Sequence, residues 1–91
     1  MKKTETIELI KGTFTPNEAR EIILQMLNSK INFHNLKNFS SRERFGKPDA
    51  DSEQRLRNLN ESRNKVKSLI LESIDEEKKL IINSSIEITI E

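Results

Sequence analysis

The sequence predicts an α+β fold in which an antiparallel two-helix hairpin is joined to a small β-sheet formed by the N- and C-terminal strands. Three observations predict it. Both ends of the chain alternate apolar and polar residues, as strands do. The middle contains two long stretches with apolar residues three and four positions apart, as amphipathic helices have. Turn-forming residues separate these stretches. We expect one domain, residues 1–91.

Two terminal strands are predicted from the alternation. The first, at about residues 5–11, has Ile7 and Leu9 on either side of Glu8. The last, at about residues 86–90, has three isoleucines separated by polar residues. Because a lone strand leaves its backbone groups unpaired, we expect the two strands to pair with each other or with their copies in a dimer.

The first helix is predicted at about residues 16–38 and begins at a capping box. Thr15 can accept a hydrogen bond from a free backbone amide, Glu18 can bond back to Thr15, and Pro16 suits the first helical position. The apolar residues that should form its inward stripe are Ala19, Ile22, Ile23, Met26, Leu27, Ile31 and Phe33.

A loop is predicted at residues 39–51, where Gly46 and Pro48 lie among small polar residues. The second helix should follow at about residues 52–78. Its apolar positions are close to a heptad, in which Leu56, Arg63 and Ile70 share one position and Leu59 and Val66 another, with Leu69 and Ile74 beside them. The short apolar run at 80–82 fits either more helix or a strand.

The composition predicts a thin core and a homodimer. Only 33% of the 91 residues are hydrophobic, none is Trp or Tyr, and 34% are charged. A chain this short buries a small fraction of its surface, so sharing apolar groups with a second copy would help to stabilise it.

The absence of cysteine excludes disulfides and thiolate metal sites and fits a reducing compartment. No apolar run is long enough for a signal peptide or a membrane span. We therefore expect a cytoplasmic protein that binds no membrane, no metal and no cofactor.

Charge is unevenly distributed along the chain. Residues 1–29 carry four bases and four acids, residues 30–67 carry ten bases and five acids, and residues 68–91 carry two bases and six acids. The basic middle could therefore pair with the acidic end, with a neighbouring copy, or with an anionic partner.

His34, the only histidine, lies on one helical ridge with Lys30 and Lys37. One interpretation is a structural histidine, hydrogen-bonded at a helix edge or subunit contact. The other is an acid–base group or metal ligand. The neighbouring cations and the absence of further histidine or cysteine favour the structural role.

Arg63 falls within the apolar stripe of the second helix, where a leucine would be expected. A charge there needs a partner, so we expect an internal ion pair, helix-end carbonyls, or a guanidinium that extends to the rim of the stripe. Alternatively, Arg63, Lys30 and His34 converge on an anionic ligand between the helices.

The predicted loop interleaves aromatic and basic residues: Phe39, Arg42, Arg44, Phe45 and Lys47. Such a set can bind unpaired nucleotides, with rings stacking on bases and cations contacting phosphates. The alternative is that the rings fold back to close the end of the hairpin while the cations stay solvated or pair with nearby acids.

The sequence therefore predicts a non-enzymatic interaction or regulatory module that forms a homodimer. The alternative is a nucleic-acid-binding protein that uses the loop at residues 39–47. An enzyme or anion sensor built around His34 and Arg63 is a third hypothesis, and it lacks readable catalytic partners.

Overall fold

The computed structural model describes residues 2–91 and confirms the α+β prediction. Two long helices form an antiparallel hairpin, and the two ends of the chain form a two-stranded sheet. The first helix is continuous but contains a π-helical segment. In chain order the elements are β1 (Lys3–Phe14), the first helix (α-helical at Pro16–Ala19, π-helical at Arg20–Leu24 and α-helical at Gln25–Phe45), the second helix (Ala50–Asp75) and β2 (Leu80–Ile90).

The two strands pair with each other within one chain, antiparallel, from Lys3 opposite Ile90 to Phe14 opposite Leu80. Both are longer than the predicted 5–11 and 86–90, because each strand supplies the ladder partners of the other. The ambiguous run at 80–82 is strand. A β-bulge interrupts the register between Glu8 and Ile10, which leaves Leu9 without a cross-strand partner.

The first helix begins as predicted, at a complete capping box. The Glu18 amide donates to the Thr15 hydroxyl oxygen at 3.2 Å, and the Thr15 amide donates to the Glu18 carboxylate at 2.9 Å. Pro16 occupies the first turn, where its missing N–H costs nothing.

The predicted loop at 39–51 is wrong, because the first helix continues to Phe45. It ends at Gly46, whose left-handed φ of 73° carries no steric cost for glycine, and the Gly46 amide donates to the Arg42 carbonyl at 2.9 Å. The second helix then begins at Ala50, since the Asp49 carboxylate caps it by accepting from the Ser52 amide at 2.9 Å. The connection is therefore residues 46–49.

The helices meet along a seam spaced alternately four and three residues apart, as in a coiled coil. The predicted heptad of the second helix is confirmed, although Leu69 and Ile74 are exposed. The inward residues are Leu27, Ile31, His34, Asn38 and Ser41 on the first helix and Ser52, Leu56, Leu59, Arg63, Val66, Ile70 and Ser73 on the second.

The π-helical segment shifts the seam of the first helix by one residue. A spacing of four and three continued from Ala19 would reach Met26 and Lys30, but the inward residues after the segment are Leu27 and Ile31. One extra residue in a helical turn produces such a shift. The predicted inward stripe is therefore wrong at Met26 and Phe33, both of which are exposed.

The second helix ends at Asp75, three residues before the predicted end, in a Schellman motif. The Lys78 amide donates to the Ser73 carbonyl at 2.8 Å, and the Glu77 amide donates to the Ile74 carbonyl at 3.1 Å. This geometry requires a left-handed residue, and Glu77 supplies it with a φ of 55°.

The molecule is flat and elongated. Its extents along the three principal axes are 50, 35 and 15 Å. Its radius of gyration is 16.5 Å, against about 12 Å for a compact chain of this length. It exposes 7389 Å², against about 5,500 Å² for a compact monomer of 10.6 kDa. As predicted, the core is thin.

We predict that Glu77→Gly stabilises the protein by about 1 kcal/mol, because glycine adopts the left-handed conformation without the steric cost of a side chain. Urea denaturation measures the change. Glu76→Gly is the matched control, since Glu76 has an ordinary helical φ of −88° and its replacement should destabilise the chain. Equal effects of the two substitutions on stability would contradict the left-handed conformation assigned to Glu77.

Candidate functional site

His34 and Ser52 form a buried polar pair between the helices, near the tip of the hairpin. His34 Nδ1 and Ser52 Oγ lie 3.0 Å apart, and the residues are only 5% and 0% exposed. This arrangement agrees with a structural role for His34. Its partner is the Ser52 hydroxyl, which is completely covered, so no substrate can reach that hydroxyl. Sequence reasoning missed Ser52 as the partner, although it falls one seam position before Leu56.

Asn38 connects the first helix to the start of the second. Its side-chain oxygen accepts from the Asp49 amide at 3.0 Å, and its amide nitrogen donates to the Glu53 carboxylate at 3.2 Å. Arg42 lies 3.8 Å from the same carboxylate. Asn38 was not among the predicted site residues, although its position four residues after His34 is a seam position. These contacts fix where the chain turns.

Arg63 bonds to amide oxygens rather than to a carboxylate. Its guanidinium donates to Asn28 at 3.1 Å across the seam and to Asn60 at 2.9 Å on its own helix. Neither partner is charged, so these amide contacts take the place of the predicted ion pair. The predicted convergence with Lys30 and His34 does not occur. His34 contacts Ser52, which is about 16 Å along the second helix from Arg63.

Phe33 lies on the outside of the first helix between two lysines. The ammonium groups of Lys30 and Lys37 lie 5.0 and 5.7 Å from the centre of its ring, within the range of cation–π attraction. The ring also meets His34 edge-on, with centroids 5.1 Å apart. Phe33 thus connects the exposed surface to the buried polar pair.

We call the surface around Phe33 the outer helix face, defined by Met26, Lys30, Phe33, Leu36, Lys37 and Arg44. Its three apolar side chains are 42–68% exposed, and its three cations follow one another at intervals of seven residues. No acidic residue occurs between Glu21 and Glu43 in the sequence. The face therefore combines exposed apolar area with positive charge.

The predicted loop residues do not form one surface, because the helix that contains them distributes them around its axis. Arg42 pairs with Glu53 on one flank. Arg44 and Phe45 instead border a groove on the outer helix face, together with Phe33, Leu36 and Lys37. Phe39 and Phe45 are 64% and 70% exposed, so neither closes the end of the hairpin. Lys47 is exposed in the connection.

Within residues 2–91, no cluster of His, Cys, Asp or Glu side chains could hold a metal ion. In the same range, no helix is both long and apolar enough to cross a membrane. Comparison with known proteins gives no match: no family model, curated protein or solved structure is significantly similar to the chain.

The stabilisation that the Asp49 helix cap contributes depends on pH. Hydrogen bonds from the Ser52 amide and hydroxyl, assisted by the charge of Lys37, hold the pKa of Asp49 below its ordinary value of 3.8. Because the folded pKa is the lower one, this stabilisation is present above the ordinary value and is lost as the pH falls through the folded pKa.

We predict that Asp49→Asn reduces the loss of stability on acidification, because asparagine keeps an oxygen that can cap the helix but does not titrate. Urea denaturation at neutral pH and below pH 3.8 measures the difference. The pKa of Glu18 is also lowered, chiefly by its bond from the Thr15 amide, and contributes equally to both proteins. An unchanged acid dependence would contradict the role of Asp49.

We predict that Ser52→Ala destabilises the protein by about 1–3 kcal/mol, because it leaves a buried ring nitrogen of His34 without its partner. The double variant His34→Leu with Ser52→Ala should lose less than the sum of the two single losses, since it removes both polar groups. Urea denaturation of the four proteins gives the coupling energy. Additive losses would show that the coupling energy between His34 and Ser52 is zero.

Proposed function

We propose that the protein is a non-enzymatic interaction module, and that its outer helix face binds an acidic, amphipathic segment of another protein. One observation carries the proposal: three exposed apolar side chains, Met26, Phe33 and Leu36, lie beside a row of three cations. Contiguous exposed apolar area bordered by charge is typical of interaction surfaces.

The chemistry of the partner follows from this face. Aliphatic side chains such as Met26 and Leu36 gain by contact with other apolar groups. Lys30, Lys37 and Arg44 favour carboxylates along one edge of the partner. An amphipathic helix with acidic residues beside its apolar stripe supplies both, in the groove-binding mode common among protein modules.

A catalytic role finds less support. The imidazole of His34 and the hydroxyl of Ser52 are enclosed in the seam, where they hold the helices together. A nucleophile or base must lie within reach of its substrate, and these two groups do not.

Self-association is part of the proposal. The chain exposes about 1,900 Å² more than a compact monomer of its mass would. A standard protein interface buries about 800 Å² on each partner, so a homodimer interface fits within that surplus.

A nucleic-acid-binding role is the second candidate. The observation in its favour is that Phe33, Lys37, Arg44 and Phe45 border one groove, so rings and cations are adjacent. Against it, the exposed aliphatic side chains gain little from phosphates, and the net charge is only +1.

We predict that reversing the three charges of the outer helix face lowers the affinity for the protein partner about tenfold or more. The variant combines Lys30→Glu, Lys37→Glu and Arg44→Glu. The matched control makes the same change in charge at three exposed positions of the second helix, Arg55→Glu, Arg57→Glu and Lys65→Glu, and should bind as the wild type does.

Affinity capture from nuclease-treated lysate identifies the partner, and titration of the purified partner against the three proteins gives the affinities. Equal binding by both variants would reject the outer helix face. A single-stranded RNA or DNA oligonucleotide provides the test of the second candidate. Binding that falls steeply with salt and is lost in the first variant alone would favour nucleic acid over protein.

A further inference from the structure

The sheet has one apolar and one polar face. Residues directly opposite each other in an antiparallel pair lie on the same face, and successive residues alternate. The apolar face therefore contains Lys3, Glu5, Ile7, Ile10, Gly12 and Phe14 of β1 and Leu80, Ile82, Ser84, Ile86, Ile88 and Ile90 of β2. The opposite face is almost entirely polar.

The bulge at Leu9 produces this face. Ile7 and Ile10 are three residues apart, so in a regular strand they would point to opposite sides. The extra residue restores the alternation, and Ile7 lies opposite Ile86 while Ile10 lies opposite Ser84. The apolar face consequently runs along the whole sheet.

Only half of that face is covered. Near the helices Ile10, Phe14, Leu80 and Ile82 are partly buried. At the other end Ile7, Ile86, Ile88 and Ile90, the apolar tip, are 42–63% exposed. Two-stranded sheets are marginally stable in water unless something packs on them, and nothing within residues 2–91 packs on the apolar tip.

We infer that the apolar tip packs face to face on the same surface of a second copy of this chain. Two ribbons stacked in this way form the two-layer arrangement that a single chain lacks. The inference rests on the self-association proposed above and names the surface responsible for it.

Charge favours a second copy at the tip rather than at the outer helix face. The only charged residues on the apolar face are Lys3 and Glu5, which have opposite signs and lie 3.8 Å apart. A copy therefore brings no net charge to the contact. Two outer helix faces would instead oppose three cations with three cations, which is repulsive.

Two lysine substitutions at adjacent positions test the contact. Ile88→Lys places a charge on the apolar tip, directly opposite Glu5, so the sheet of the monomer is preserved. The matched control, Thr89→Lys, places the same residue on the polar face, where Glu87 and Glu91 are its neighbours on that side. Circular dichroism verifies that both variants are folded.

Sedimentation equilibrium should find the wild type and Thr89→Lys as dimers, and should find the dimerisation of Ile88→Lys weakened about tenfold or more. Because the chain has no native cysteine, cross-linking gives a second measurement that does not depend on weakening the dimer. Under oxidising conditions Ile88→Cys should form a disulfide-linked dimer, whereas Thr89→Cys should not.

The outcomes separate this inference from the proposed function. A wild type that stays monomeric at all concentrations overturns both the tip contact and the self-association, but leaves the outer helix face untouched. A wild-type dimer that survives Ile88→Lys, with no cross-link through Ile88→Cys, overturns the tip contact alone. That result would point to pairing through the open strand edges instead.

Discussion

Contact between the two helices runs along a single line of side chains on each helix, spaced alternately four and three residues apart. A seam of this kind holds two helices side by side but leaves their other surfaces free. Among the described residues, the buried apolar side chains are only Ala19, Ile31 and Ile70. The flat shape and the large exposed area follow from this narrow contact.

The seam is polar where the chain turns. His34, Asn38 and Ser52 occupy positions that apolar residues fill in most helix pairs. Each makes at least one hydrogen bond to the other helix or to its cap, although Nε2 of His34 is buried without a partner among the described residues. Buried polar groups contribute little net stability, but a wrong alignment would leave them unpaired, at a cost of about 1–3 kcal/mol each. Such pairs therefore define which residues lie opposite each other.

Irregular backbone at two places determines which side chains remain exposed. The π-helical segment at Arg20–Leu24 rotates the rest of the first helix, so that Met26 and Lys30 lie outside the seam. The bulge at Leu9 aligns Ile7 with Ile10 on one face of the sheet. Each irregularity adds a single residue, and each changes the alignment of a surface for which we propose a partner. The two surfaces differ in charge, and this difference is why we assign them different partners.

The sequence by itself determined the α+β fold, the capping box at Thr15 and the heptad of the second helix, because these signals lie within a few neighbouring residues. It placed the loop wrongly, because the helix continues to Phe45. The contacts at the turn, in which Asn38 accepts from the Asp49 amide and donates to the Glu53 carboxylate, join residues far apart in the chain. The partners of His34 and Arg63, and the exposure of Phe33, were likewise decided only by tertiary structure. Each depends on how one helix is rotated against the other. When a helix is rotated by one residue position, every contact farther along that helix changes.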